Sequence, residues 1–353
     1  MDKAKYSSIE HRLDWVDGLK GLCCLIVVIC HTFVTISGVS VHANANIPIV
    51  HNLYDGNFAV SAFIILSTIL TCHGIEQHKD NILQRYRYIV AKRYFRLAVP
   101  VGFIILIMYF ANLGGAFYAE EYGAKTGNTW LMNITESWIH LPGCILGASI
   151  QGAYGILRVT WMLPYVFFGT MWVIILDLLL RDKNKISKVF LLLLSLYIAW
   201  KCDFYYINVV TGYALYMILK GSSYKWLRLL LIVFSVAVFT LSDFYNHSAE
   251  FNMLRAICFV SVVVFSSHAK KVFSIKILKN LGNISMNIYL LHLFVIYSLT
   301  CRMADIMEHS IVNVCAMYLA TIVNTVFLSF LFTKFVEVRL NRLTDILLSK
   351  LER

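Results

Sequence analysis

Two basic side chains in the first apolar stretch have the spacing of a shared helix face. The segment runs Asp17-Gly-Leu-Lys20-Gly-Leu-Cys-Cys-Leu-Ile-Val-Val-Ile-Cys-His31. At about 100° per residue, the steps from Lys20 to His31 end roughly 20° past three full turns, so both side chains lie on one face, about 16 Å apart along the axis. With Lys20 at the cytoplasmic edge of a bilayer, His31 sits near its middle. A neutral imidazole accepts a proton near pH 7, which suits general-base chemistry. The bland alternative is a histidine hydrogen-bonded between helices. Asp17 is placed to pair locally with Lys20. Ionisable groups inside a membrane are costly and are functional candidates by default.

Four further patterns carry polar chemistry. Arg93 and Arg96, in the run Arg85-Tyr-Arg87-Tyr-Ile-Val-Ala-Lys92-Arg93-Tyr-Phe-Arg96-Leu-Ala-Val-Pro100, share a helix face. Guanidinium pairs so spaced can clamp phosphate; ordinary cytoplasmic flanking charge is the alternative. Ser61, Ser67, Thr68 and Thr71 fall in one apolar stretch, where small hydroxyl residues also serve close helix packing. His292 is a second histidine in a span, in Leu281-Gly-Asn-Ile-Ser285-Met-Asn-Ile-Tyr289-Leu-Leu-His292. Trp161 precedes Pro164, which is expected to kink a helix on the outer side.

The elements that must position these residues are membrane helices. Of 353 residues, 59% are hydrophobic and only 14% are charged. That excludes disorder, and leaves too little polar surface for a soluble enzyme. Ten stretches have the character of spans: about 20–38, 57–73, 95–112, 159–180, 187–200, 204–219, 226–242, 250–267, 284–301 and 311–333. Placed between these stretches, all but five of the 31 Lys and Arg fall on one side. The exceptions are Lys125, Arg158, Lys201, Arg255 and Arg302. By the positive-inside rule the expected fold is all-α and polytopic, with about ten transmembrane helices and both termini cytoplasmic. The net charge of +11 then reflects a cytoplasmic face beside anionic lipid, so no nucleic-acid partner is expected. No cleavable signal peptide is recognised, and residues 1–353 are expected to form one transmembrane domain without an appended soluble domain. The long outer loop 113–158 is expected to pack on the membrane or to cap a cavity. The 9 cysteines show no metal-ligand spacing, so no metal is expected.

Taken in order, these motifs resemble the acyltransferase-3 family of membrane acyltransferases. The opening Arg12-Leu-Asp-Trp-Val-Asp17-Gly-Leu-Lys20-Gly, ending in His31, is similar to the family's pattern of a basic residue, ten residues and a histidine. Gly56-Asn-Phe-Ala-Val-Ser-Ala-Phe-Ile-Ile-Leu-Ser67 resembles its second helix, Arg93-Tyr-Phe-Arg96 with Pro100 its arginine motif, and Leu281 through His292 its penultimate helix. Thr68 stands where the family usually has glycine, and the stretch after Trp161 lacks a glutamate that is common there.

The resemblance implies transfer of an acyl group, commonly acetyl, from cytoplasmic acyl-CoA to a hydroxyl of a sugar, an envelope polysaccharide or another exported molecule. Acyl-CoA is then a co-substrate, and no bound cofactor is expected. His31 takes the place of the essential histidine and Lys20 that of its basic partner. Arg93 and Arg96 match the arginines near the CoA phosphates. His31 either deprotonates the acceptor or carries the acyl group transiently. Asp17 and Trp161 are supporting candidates; Ser67, Tyr289 and His292 are candidates for oxyanion stabilisation. The expected location is the bacterial cytoplasmic membrane. Two other functions suit the same polytopic layout: a transporter, and a non-catalytic relative that binds a lipid or glycan.

Overall fold

The computed structural model describes residues 13–37, 54–76, 82–135, 140–152, 155–220, 225–242 and 248–351. Arg12 and both chain ends, expected on the cytoplasmic side, lie outside these residues. Every regular element described is helical, because a helix satisfies its backbone polar groups internally, as hydrocarbon demands. In chain order these are α1 (Asp14–Ser37), α2 (Gly56–Glu76), α3 (Ile82–Leu113), α4 (Ala119–Thr126), α5 (Leu141–Gly147), α6 (Leu163–Leu180), α7 (Lys185–Cys202) and α8 (Tyr206–Lys220). There follow α9 (Lys225–Ser242), α10 (Ala249–Phe265), α11 (Ser267–Phe273), α12 (Lys276–Asn283), α13 (Ser285–Val295), α14 (Cys301–Ile306), α15 (Ile311–Phe332) and α16 (Val338–Leu351).

Each of the ten expected spans falls on a helix. Six helical segments are long and apolar enough to cross a membrane: Asp14–Ser37, Gly56–Glu76, Ile82–Leu113, Arg158–Leu180, Ser285–Ile306 and Ile311–Ser349. A seventh is added if Glu250–Phe265 and Ser267–Phe273, bent by 100° to each other, are one span. The expected stretch 250–267 thus runs into a sharp turn, where the Ser266 side chain caps α11 by accepting from the Ala269 N–H at 3.2 Å. Pro164 does not kink a helix. It stands at the first turn of α6, where its missing N–H costs nothing.

Helix α15 buries a polar face and exposes an apolar one. On α15, Thr321, Thr325 and Ser329 are buried, whereas Leu319, Val323, Phe327 and Phe330 face outward. Their spacing of four residues makes one polar stripe directed at the bundle. The Thr321 hydroxyl meets that of Thr300 at 2.7 Å.

Helix α1 is held by backbone contact. A Cβ on Gly282 of α12 would lie 1.9 Å from the Asp17 carbonyl oxygen, and one on Gly18 would lie 1.8 Å from that of Phe273. Only glycine allows so close an approach. It fixes the depth and rotation of α1, and so where His31 points.

Side-chain bonds join the helices at both ends of the bundle. At one end, Tyr205 donates to Asn57 at 2.9 Å, Tyr165 to Asp203 at 2.8 Å, and Asn252 to Asp55. At the other, Tyr86 donates to Asp177 at 2.5 Å, Tyr216 to Glu76 at 2.6 Å, and Lys220 pairs with Glu76. The first set joins the starts of α2, α6, α8 and α10. The second joins the end of α6 to the start of α3, and the end of α8 to that of α2. Helices α2, α6, α8 and α10 therefore start at one end of the bundle, and α3 starts at the other.

Candidate functional site

The structure brings the two intramembrane histidines together. His31 Nδ1 lies 2.7 Å from His292 Nε2. The rings are coplanar within 1°, with centroids 4.9 Å apart. That separation is the nitrogen contact plus two ring radii, so the rings meet edge to edge in a plane and do not stack. The contact links α1 to α13 across 261 residues. His31 is thus a histidine hydrogen-bonded between helices, and it also faces open space.

The roles within the pair follow the tautomer. His292 Nδ1 is buried without a hydrogen-bond partner among the described residues. With the proton of His292 on that nitrogen, Nε2 is the acceptor and His31 donates from Nδ1. The His31 lone pair is left on Nε2, on the far side of the ring from His292.

Two cavities open around His31. One, of about 650 Å³, is lined by His31, Trp130, Asn133, Gly155, Arg158, Val159 and Trp161. The other, of about 430 Å³, is lined among others by His31, Asp55, Asn57, Asn128, Trp130, Trp161 and Tyr289. His31, Trp130 and Trp161 border both. The Trp130 indole stacks on His31, with centroids 5.1 Å apart and planes within 18°. Trp161 packs against Tyr205 at 5.2 Å and edge-on to Tyr165 at 6.1 Å.

Irregular backbone holds Trp130 in place. Asn128 accepts from the Trp130 N–H at 3.2 Å and donates to the Val34 carbonyl at 3.0 Å, one turn beyond His31. Arg158 donates to the Trp130 carbonyl at 2.8 Å, to that of Asn133 at 3.1 Å and to that of Met132. Helix α4 is tied down by Lys125, which bonds Asp305 at 2.9 Å and Glu121 at 3.0 Å. Those carboxylates raise the Lys125 ammonium above its ordinary range. The outer loop does cap a cavity, as its composition led us to expect.

Asp55 caps α2 by accepting from the N–H groups of Asn57 and Phe58 at 2.8 and 3.1 Å. Its carboxylate also takes the Asn252 amide, which leaves a buried acid at the cavity wall. The Tyr289 ring borders the cavity, and its hydroxyl is committed to the Val159 carbonyl.

The other expected site residues lie away from His31. Asp17 and Lys20 pair at 3.6 Å, with the Lys20 ammonium over the Phe63 ring at 5.9 Å. Arg93 donates to Ser67, to Thr170 at 3.1 Å and to Thr71 at 3.5 Å. Ser67 is therefore a partner of Arg93 and not of His31. Arg93 and Arg96 do not close on one point: Arg96 reaches Asp345 of α16 at 3.8 Å. Among the described residues, Arg93 bonds only hydroxyls and its charge meets no carboxylate. Lys20, Ser67, Arg93 and Arg96 line neither cavity.

Sequence reasoning missed Trp130, Asn128 and Asp55 as site residues. Each had a faint signal: an aromatic residue in a long outer loop, an asparagine beside it, and a capping residue at a helix start. Arg158 had a stronger one, as one of five cations outside the cytoplasmic set.

Compared with curated proteins and with solved structures, the chain gave no significant match in either. The acyltransferase-3 profile, described as an acyltransferase domain, matches residues 13–334, nearly the whole of this helical integral membrane chain, which therefore belongs to the acyltransferase-3 family.

Proposed function

We propose that the protein moves an acyl group, acetyl in the first instance, from acyl-CoA on the cytoplasmic side to a hydroxyl of a sugar, an envelope polysaccharide or another exported molecule. In this reading the chain crosses a bacterial plasma membrane ten times with both ends inside. The two latched ends of the bundle support the alternation. One observation carries the proposal: His31, in contact with His292, borders both cavities.

The chemistry follows from that contact. An acceptor hydroxyl in the cavity gives its proton to His31 Nε2 as its oxygen attacks the thioester carbonyl. The C–S bond breaks, an ester C–O bond forms, and His31 returns the proton to the thiolate. While His31 is cationic, its Nδ1–H bond to His292 becomes charge-assisted and strengthens. His292 thus orients His31 and stabilises its charged form, as the third member of a triad does. Aromatic walls at Trp130 and Trp161, with polar groups at Asp55 and Asn57, suit a ring-shaped polyol.

At the other end, uncompensated positive charge suits the donor. Arg93 keeps its full charge among hydroxyls, and Arg96 is half exposed beside one distant carboxylate. Arg96 is the arm free to meet a phosphate, and Arg93 supplies field while tying α3 to α2 and α6.

Labelled acetyl-CoA and purified protein test the proposal, with and without crude envelope glycans. Label should move to glycan in wild type and not in His31→Ala. Equal transfer by the mutant would remove His31 from the mechanism. Solute flux without thioester chemistry would point to a transporter.

A further inference from the structure

We propose that Trp130 is a cover on one face of His31, held by Arg158 and Asn128, that narrows approach to the imidazole to its cavity edge, so that an acceptor seated there displaces water and transfer outruns hydrolysis of the donor. The inference rests on the acyltransferase reading for its kinetic consequence, but the cover itself is a matter of geometry. Trp130 stacks on the ring at 5.1 Å and borders both cavities. A stacked indole denies one face of His31 to solvent, while His292 occupies one edge.

The way Trp130 is held supports this role. Segment 128–133 has only a short turn of regular structure, Thr129–Leu131. Asn133 is in the left-handed region at φ 56°. One guanidinium gathers the carbonyls of Trp130, Met132 and Asn133. Arg158 faces a cavity, yet its donors are turned on the backbone of the loop, so it acts as a positioning residue. Asn128 fixes the other side of the loop to α1 itself, on the same helix as His31.

The competing reaction has a definite course. A water oxygen attacks the thioester carbonyl, His31 takes the proton, and the C–S bond breaks. The proton then passes to the thiolate, giving a free carboxylic acid and the CoA thiol. Narrowing the approach of water to the ring slows this course, while an acceptor seated at the cavity edge is not impeded.

The test compares wild type, Trp130→Ala, Trp130→Phe and Arg158→Met in detergent. Release of CoA thiol from acetyl-CoA without acceptor is followed, as is carbethoxylation of His31 by diethyl pyrocarbonate, mapped by peptide mass. Trp130→Ala should raise both rates by about 2- to 12-fold, the range to which a stacked pair of about 0.5–1.5 kcal/mol converts. Arg158→Met should shift both rates the same way and less, and Trp130→Phe should stay near wild type. If Trp130→Ala does not fold, Arg158→Met carries the comparison. Unchanged His31 modification in a folded variant overturns the cover. Faster modification with no acetyl-CoA consumed by any variant keeps the cover and overturns the acyltransferase reading.

Discussion

His292→Phe keeps an aromatic ring beside His31 and removes the nitrogen that accepts from it. The magnitude follows from the 2.7 Å contact. As the acceptor's proton arrives on Nε2, the bond from Nδ1 changes from neutral, at about 0.5–1.5 kcal/mol, to charge-assisted, at about 1.5–3 kcal/mol, a gain of about 1–1.5 kcal/mol. Lost only as charge develops, that gain lowers kcat by about 5- to 13-fold at 1.36 kcal/mol per tenfold. The KM for acetyl-CoA should change little, since His292 lines neither cavity and makes no contact with Arg93 or Arg96. Initial rates of label transfer over a range of acetyl-CoA concentrations separate the two constants. Thermal unfolding in the same detergent checks that the packing survived. His292→Gln retains an acceptor oxygen and should recover part of the loss. A His292→Phe protein with kcat within about threefold of wild type would refute both the tautomer assignment and the supporting role.

Arg96→Ala should raise the KM for acetyl-CoA and leave thermal stability nearly unchanged, because an ion pair as exposed as 46% and 51% contributes about 0–1 kcal/mol. Arg93→Met should lower the unfolding temperature as well, since hydroxyls of three residues lose their donor at about 1–3 kcal/mol for the buried groups left unsatisfied. Gly282→Ala places a carbon against the Asp17 carbonyl and should destabilise by about 1–3 kcal/mol or prevent folding, read as loss of monodisperse protein in detergent. Tyr289→Phe frees the Val159 carbonyl and should cost about 1 kcal/mol of stability with only a small change in kcat.

The parts of the site that were legible in the sequence are those set by one helix. The Asp17–Lys20 pair follows from residue spacing alone. The apolar runs marked the helices. The partnership of His31 with His292 was not legible. Both residues were visible as polar intruders, but no periodicity links two helices 261 residues apart. The same holds for Arg93 and Ser67, whose bond depends on how α2 and α3 pack. Trp130 was hidden for a different reason. Its position depends on a left-handed residue and a gathering arginine in a segment with almost no repeating structure, and hydrophobic pattern carries no information there.

The latches also bear on whether such a layout transports or transfers. An alternating-access carrier opens one end of its bundle while the other is closed, by rocking one group of helices on another. Here α2, α6 and α8 are tied at both ends in one conformation, by Asn57–Tyr205 and Tyr165–Asp203 at one end and by Glu76–Tyr216 and Asp177–Tyr86 at the other. Helix α1 is held by backbone contact to α12, so His31 cannot change sides without breaking that seam. Its open nitrogen instead faces space shaped by loop residues. On the proposed reading, a fixed base, a fixed partner ring and a cover anchored to the same helix form a site where electrons and protons rearrange while the helices stay still. That arrangement favours group transfer between two bound molecules over passage of one molecule through the bundle.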